Sequence, residues 1–458
     1  MIVLKRNSDY RVNLVYCFLF LVFYIEYQFV NDLAWFTNWF LFQLLLLCFV
    51  SLWHSIKRFG LHNLYSLLLI SITLFWFSGL FISMFYSDFD YREMSSFINI
   101  SISEKNMQKT LILYSVFLAG LNVVTGIDKT KRETLSLKTN TCYLKLGKFL
   151  MLSMFVFALY KAKMEFTLLV GNRSSLFLDG NSSLDIPIYI RAFSNLFRIG
   201  FLFIIASVPS KEDFVKYSFL YIITLVPSLG FGNRMLFALT ILYIIWYVGY
   251  VYKCKFNTVK IILFTVALIV LFQVIALMRV GDNSDSYSLL FLFALFFISQ
   301  SISFYILPLY MESMSHMGDY PYPFVCDAFF AGFIKTSGQS IDTLSHRANL
   351  GHQLVYYLNP DYYLSGYSLG TSSIAELYEF GIWSVFIGSI LLAFFIFYFQ
   401  NKVISSHLLL FLSFVIVTSI VSSPRNSYFI SLFNLVRDTS MFFFCKYVWL
   451  MCDKCKYK

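Results

Sequence analysis

The chain has 458 residues and a formal net charge of +10; 59% of its residues are hydrophobic, 20% aromatic and only 13% charged, and mean hydropathy is +0.70. A soluble domain carries about 25% charged residues, so this chain cannot clothe a water-facing surface but can satisfy a lipid-facing one. The net positive charge does not point to nucleic acid: the basic residues sit in short loops between apolar blocks, with no continuous basic patch left over.

The apolar residues run in blocks of about 17–25, the length a helix needs to cross a bilayer. They lack the alternation of a membrane barrel. The expected fold is therefore all-α, a polytopic helix bundle with residues 1–458 as one transmembrane domain. Leu14 to Ile25 follows Lys5, Arg6 and Arg11 with no small-residue cleavage site behind it, so it reads as the first transmembrane helix, not a signal peptide. Crossings are expected near 13–31, 34–53, 63–86, 109–127, 149–162, 188–208, 214–230, 235–252, 260–278, 373–399, 408–423 and 427–450.

Charge sets the orientation. Lys5, Arg6 and Arg11 place the N-terminus inside, and Lys454, Lys456 and Lys458 the C-terminus. Lys57 and Arg58, then Lys129, Lys131 and Arg132, then Lys211 and Lys216, Lys253 and Lys255, and Lys402 mark further inside loops. Both ends inside requires an even number of crossings, and the twelve above satisfy it. The block 286–310 is also apolar, but its crossing would break parity and put 311–372 inside with almost no Lys or Arg. It is expected to be re-entrant or to lie along the outer interface, where protein or a water-filled cavity covers its backbone.

Three sizeable outer stretches result: 87–108, 163–187 and 279–372. The last is the largest and is rich in Tyr, Gly, Ser and His; a long ordered loop of this kind is commonly functional. Of the 8 cysteines only Cys326 falls in it, which leaves no outside partner for an intrachain disulfide. Cys452 and Cys455 form a CxxC pair with no second pair or nearby His, so reduced thiols are a plainer reading than zinc.

Four arginines stand at outer helix ends, against the charge bias of the chain: Arg173 after Gly171-Asn172, Arg234 after Gly232-Asn233, Arg279 and Arg425. Arg191 and Arg198 lie within the block 188–208. Charges kept at membrane depth are costly and mark functional positions. The arginine fork suits an anionic diphosphate, and a neighbouring glycine lets backbone N–H groups approach the same anion. The plainer alternative is snorkelling or a local ion pair, as Asp282 offers Arg279.

The second constellation runs Gly366-Tyr367-Ser368-Leu369-Gly370-Thr371-Ser372-Ser373-Ile374-Ala375-Glu376-Leu377-Tyr378-Glu379-Phe380-Gly381 into the expected helix 373–399. Thr371 or Ser372 would cap that helix and Glu376 would fall in its first turns, where negative charge suits the dipole. Glu376 is then either part of a capping arrangement or a general base for a sugar hydroxyl. His346 and His352, in the largest outer loop, are alternative bases or plain loop residues. Two histidines without a third ligand do not make a metal site. The loop tyrosines Tyr320, Tyr322, Tyr356, Tyr357, Tyr362, Tyr363 and Tyr367 could stack on sugar rings or form an interfacial belt. No P-loop, HExxH or Rossmann fingerprint is present, and the GxSxG spacing at Gly366–Gly370 leads into an expected membrane helix, not the strand-turn-helix of a hydrolase elbow.

The stretch Gly366–Gly381, which reads GxSxG…IAExYxFG, resembles the signature of O-antigen polymerases of the Wzy type. The outer arginines, the length, the crossings and the large outer loop before the signature also resemble that family. The related O-antigen ligases carry a His before a similar helix, where this chain has Gly and Ser.

The resemblance implies a glycosyltransferase of the bacterial inner membrane with both termini cytoplasmic. A growing polysaccharide on a polyprenyl diphosphate donates its reducing-end sugar to a hydroxyl of one lipid-linked repeat unit, and polyprenyl diphosphate leaves. The partners implied are the lipid-linked oligosaccharide, the bilayer and a chain-length regulator beside the enzyme. Glu376, His352 or His346 would take the proton. Arg173, Arg234, Arg279 and Arg425 would hold the diphosphate in place of a metal, so neither metal nor cofactor is expected. A flippase for lipid-linked oligosaccharide is the competing class; it would carry midplane charges and internal symmetry.

Overall fold

The computed structural model describes residues 2–31, 33–84, 101–126, 137–171, 186–230, 234–254, 266–270, 289–334, 336, 338–366 and 368–455, and all regular structure among them is helical. α1 (Ile2–Gln28) and α2 (Ala34–Phe59) form the first pair. α3 (Leu64–Ile72) passes through a π-helical turn, Thr73–Phe77, into α4 (Ser78–Ser83). There follow α5 (Glu104–Val123), α6 (Thr141–Gly171), α7 (Ile188–Ala206), α8 (Lys211–Gly230) and α9 (Arg234–Val251). α10 (Leu289–Gln300) and α11 (Ile302–Ser313) precede four short helices in the long loop 314–372: α12 (Asp327–Phe330), α13 (Ile341–His346), α14 (Leu350–Leu358) and α15 (Pro360–Leu364). α16 (Ser373–Tyr378), α17 (Ile382–Lys402), α18 (His407–Ser422) and α19 (Leu432–Cys455) complete the chain.

Seven helical stretches among the described residues are long and apolar enough to cross a membrane: Trp35–Phe59, Leu64–Ser83, Glu104–Gly126, Thr141–Met164, Ile188–Ala206, Ile382–Ser405 and His407–Arg425. An eighth is the pair Ala294–Gln300 and Ile302–Ser313, taken as one broken span. The twelve expected crossings exceed this number for identifiable reasons. The apolar parts of α1 and α9, Val12–Gln28 and Met235–Val251, are shorter. α8 and α19 carry charges in their turns, among them Lys211, Glu212, Asp213 and Lys216, and Arg437, Asp438 and Lys446. The expected crossing 260–278 lies outside the described residues except for 266–270.

The segment expected to be re-entrant or interfacial, 286–310, is described from residue 289 and is bent by 41° between Ala294–Gln300 and Ile302–Ser313, a geometry common to a broken span and a re-entrant loop. The bend is held by close packing: Ser78 Oγ donates to the Phe297 carbonyl at 2.9 Å, and a Cβ on Gly79 would lie 2.0 Å from Ser301 Oγ. α5 is buried along nearly its whole length, packed among α1, α2 and α17. This is the small-residue packing by which helices associate in lipid: a Cβ on Gly120 of α5 would meet Ser389 Oγ of α17 at 1.9 Å.

Three of the short helices in the long loop are capped at their N-termini by side chains. Ser340 accepts from Thr343 N, Asn349 from His352 N and Asn359 from Tyr362 N, each satisfying an N-terminal donor that the short helix leaves open. One expectation is corrected here. The helix expected over 373–399 is two helices, because Gly381 stands at φ +83° and turns the chain before Ile382. Such a φ is open to glycine and strained for other residues. Glu376 therefore lies on a separate short helix ahead of the span, and Ser372 takes the N-cap position without a side-chain cap bond.

Candidate functional site

The Glu376 side chain is 1% exposed. Its Oε1 accepts from Thr371 Oγ1 at 2.8 Å and its Oε2 from the Tyr428 backbone N–H at 2.8 Å; the Ser427 side chain adds a further hydrogen bond. Burial pushes the carboxyl up to about 7. The three hydrogen bonds favour the charged form and pull the other way, and the nearby Asp327 pushes further up. The result is a carboxyl for which both protonation states are populated near neutral pH, the condition that suits a proton-transfer group. The hydroxyls of Ser373 and Ser423, in the same two segments of chain, are buried with no hydrogen-bond partner among the described residues.

The partner strand of chain, 423–428, carries Arg425. A short helical turn, Ser423–Arg425, joins α18 to the approach of α19. Arg425 Nη1 donates to Gln300 Oε1 at 2.9 Å, and the guanidinium stands 5.9 Å from the centre of the Phe75 ring. Arg425 is thus seated where two irregular helices meet: the π turn that holds Phe75, and the bend after Gln300. The turn is held from the same side, since Trp76 Nε1 donates to the Pro424 carbonyl at 2.7 Å and Ser71 Oγ donates to the Val421 carbonyl. π turns inside α-helices occur frequently at functional sites. The Arg425 carbonyl also approaches Gly370, 3.8 Å from where a Cβ would stand. The structure therefore brings Glu376 and Arg425 together through the two segments 370–376 and 423–428.

The long loop before α16 reaches the same place. A Cβ on Gly351, in α14, would lie 2.1 Å from the Gly370 carbonyl oxygen, so the first turn of α14 rests directly on the signature turn. Glu379 receives the Phe324 N–H at 2.8 Å and also bonds the Tyr320 side chain, tying the loop to the residues after α16. Deeper in the loop, Asp327 is 2% exposed and accepts from Arg347 Nη2 at 2.7 Å, Tyr322 Oη at 3.0 Å and Asn349 Nδ2 at 3.2 Å. Such a buried carboxylate is tolerable because its lone pairs are filled.

Of the two histidines, His352 lies on α14 next to Gly351, its ring 5.6 Å from that of Tyr363 and its Nδ1 buried without a partner. Burial, assisted by the Arg347 charge, lowers its imidazole to about 4. His346 ends α13 in the open; its Nδ1 lies 2.9 Å from the Asp342 carbonyl and 3.0 Å from Ser345 Oγ. Arg173, Arg279 and Tyr367 lie outside the described residues, and of Arg234 only the backbone is described, as the first residue of α9. Among the described residues no three His, Cys, Asp or Glu side chains converge as a metal-binding group.

Sequence reasoning missed Tyr428, Asp327, Arg347 and Asp438. Tyr428 acts through its main chain, which its residue type does not announce. Asp438 did leave a signal, as an acidic residue in the middle of the expected crossing 427–450.

The family model of O-antigen polysaccharide polymerase Wzy matches residues 12–458, nearly the whole chain. No curated protein and no solved structure matches the chain.

Proposed function

The chain belongs to the O-antigen polysaccharide polymerase Wzy family, and from that premise we propose that Glu376 receives the acceptor's proton while Arg425 holds the leaving diphosphate. The protein is a multi-pass membrane polymerase with a glycosyltransferase-type activity on lipid-linked oligosaccharide. The observation that carries the division of labour is the hydrogen bond from Tyr428 N–H to Glu376, which seats a carboxyl poised near neutrality beside the turn of Arg425.

The acceptor hydroxyl oxygen forms a bond to the anomeric carbon of the donor sugar. The bond from that carbon to the diphosphate oxygen breaks, and the leaving group takes the electron pair. Glu376 is too buried to meet a sugar directly, but Thr371 is 7% exposed and already donates to Oε1. The substrate hydroxyl meets Thr371 Oγ1, which takes its proton as its own passes to Glu376. Negative charge building on the diphosphate is met by the Arg425 fork, a fixed cation that needs no reorganisation. On this reading the reaction is metal-independent, with Arg173, Arg234 and Arg279 as further contacts to phosphate oxygens.

Glu376 is preferred over the two histidines. With its imidazole lowered to about 4, His352 is a weak base at neutral pH, and His346 stands in the open on α13. The same reading puts the protein in the inner membrane with both termini cytoplasmic and the loop 279–372 periplasmic. A chain-length regulator would then meet it on the periplasmic side. The test is complementation of a deletion strain, with surface polysaccharide read on a gel. Wild type restores the ladder, while Glu376→Gln and Arg425→Gln leave a core-plus-one-unit band. A full ladder from either variant, at normal protein level, removes that residue from the mechanism.

A further inference from the structure

Polymerisation handles two lipid-linked diphosphates at once. The donor's is cleaved; the acceptor's must be held and left intact. Arg425 is assigned to the first, and a second cationic position lies on α7 and α19. Asp438 of α19 is fully buried and is shared by two guanidiniums. Arg198 of α7 donates from Nη1 to Oδ2 at 2.9 Å and from Nη2 to Oδ1 at 2.5 Å, with its Nε on Asn195 Oδ1 at 3.1 Å. Arg437 donates from Nε to Asp438 Oδ1 at 3.1 Å and rests 5.9 Å from the Phe433 ring centre.

The two arginines are not equivalent. Arg198 spends its donors on Asp438 and Asn195. Arg437 commits only Nε, and its two Nη groups have no hydrogen-bond partner among the described residues, on a side chain 33% exposed. Two guanidiniums on one carboxylate leave one positive charge over, in a part of the bundle where charge is costly to keep. Arg437 is five residues into α19, about 8 Å along the helix from Leu432, on the side where Arg425 stands. The outer loop closes onto this end: Phe333 and Phe329 meet Phe433 and Phe429 with ring centres 5.4 and 4.5 Å apart.

We propose that Arg437, oriented by Asp438 and Phe433, binds the uncleaved diphosphate of the acceptor lipid. A guanidinium fixed through Nε presents its two Nη ends as a fork, the geometry that takes phosphate oxygens in pairs. The shared Asp438 also suits it to holding over activating: it offsets part of the charge that would otherwise draw electrons from the phosphate ester. The proposal rests on the two-lipid reaction of the family and not on the roles given to Glu376 and Arg425.

The test uses the full-length protein in nanodiscs of zwitterionic lipid, titrated with a polyprenyl diphosphate and separately with phosphatidylglycerol. Wild type is expected to take up two equivalents of polyprenyl diphosphate and Arg437→Gln one, with the second bound but weakened in Arg437→Lys, which keeps the charge without the fork. In turnover assays Arg437→Gln should raise KM for the acceptor by about 10–100-fold, the value of a charged hydrogen bond. Asp438 keeps both bonds to Arg198 in that variant, so the fold is not at stake, and a melting curve checks this. One equivalent in wild type, or two in Arg437→Gln, overturns the proposal. Equal affinity of phosphatidylglycerol for the Arg437-dependent site also overturns it, and makes the site an ordinary phospholipid contact. A failure of the Glu376 and Arg425 assignments is seen elsewhere, as turnover retained in their variants with binding stoichiometry unaffected.

Discussion

The backbone N–H of Tyr428 and Oε2 of Glu376 lie 2.8 Å apart across 52 residues of sequence. With Thr371 on the other oxygen, the carboxylate joins the signature turn to the turn that carries Arg425. One buried side chain therefore holds two loops together, and on the proposed reading it is also the proton acceptor. A substitution there disturbs placement and chemistry together unless its shape is kept.

Glu376→Gln keeps the shape. The amide oxygen can still accept from Tyr428 N–H, but the side chain can no longer take a proton. Polymer formation should fall by about 10²–10⁴-fold, the usual contribution of a positioned base, with little change in melting temperature. Glu376→Ala leaves the Tyr428 N–H buried and unpaired and should lose a further 1–3 kcal/mol of stability, roughly. Ladder assays beside thermal melts separate the two effects, and a Gln variant that melts far below wild type would return Glu376 to a purely structural role.

The carboxyl at about 7 predicts opposite pH trends for activity and stability. Turnover needs the deprotonated form, so kcat/KM should rise as pH passes through about 7. Stability runs the other way. Folded Glu376 binds its proton more tightly than the unfolded chain does at the ordinary value of 4.5. Its contribution is therefore fully present below 4.5 and lost as pH rises through about 7. Glu376→Gln should flatten that part of the stability profile, which melting temperatures between pH 4 and 8 would show.

Much of this was legible in the sequence, and the rest was not for physical reasons. Apolar blocks of bilayer length mark helices whatever their neighbours; the 41° bend after Gln300, in the segment expected to be re-entrant or interfacial, is common to a broken span and a re-entrant loop. The break at Gly381 was hidden because glycine in an apolar block also reads as a packing position; only its φ of +83° decides between the two. Glu376 and Arg425 stood out by charge and place. Their connection did not, because it runs through the main chain of Tyr428. His352 and His346 look alike in sequence, and burial alone separates the shielded imidazole from the open one.

Arg425→Lys tests whether a fork or only a charge is required. Lysine keeps the positive charge but cannot donate in parallel to two phosphate oxygens or rest flat on Phe75. The expected result is a ladder shortened and weakened by about 10–100-fold, the value of a lost charged hydrogen bond, with normal protein level. Activity equal to wild type would show that point charge suffices and that the contact with Gln300 is incidental.

Two glycines test the seating of the loop on the signature. Gly351→Ala drives a Cβ to 2.1 Å from the Gly370 carbonyl, backbone against backbone, so α14 must move away. About 1–3 kcal/mol should be lost, as for overpacked sites, together with activity, since Thr371 follows Gly370. Gly381→Ala meets no atom within 4 Å but must hold φ +83°. Its cost should be about 1–2 kcal/mol of backbone strain, with activity retained once the protein has folded. Equal loss of specific activity in both would mean that the loop contact has no special role.

Asp327 links the long loop before α16 to Glu376. It fixes Arg347, Tyr322 and Asn349, and its charge is one of the influences holding Glu376 high. Asp327→Asn should therefore act twice. Loss of the buried ion pair leaves Arg347 uncompensated and should destabilise the loop by about 3–5 kcal/mol, less whatever solvent reaches the partly exposed guanidinium. Removal of the negative charge should also lower the Glu376 carboxyl, so the rise of kcat/KM with pH should begin at lower pH. The second effect is the diagnostic one: a loop that merely loosened would reduce activity at every pH, whereas a shifted rise requires that Asp327 and Glu376 feel each other's charge. An unshifted profile in a variant that still folds would mean that the Asp327 charge does not reach the group that titrates.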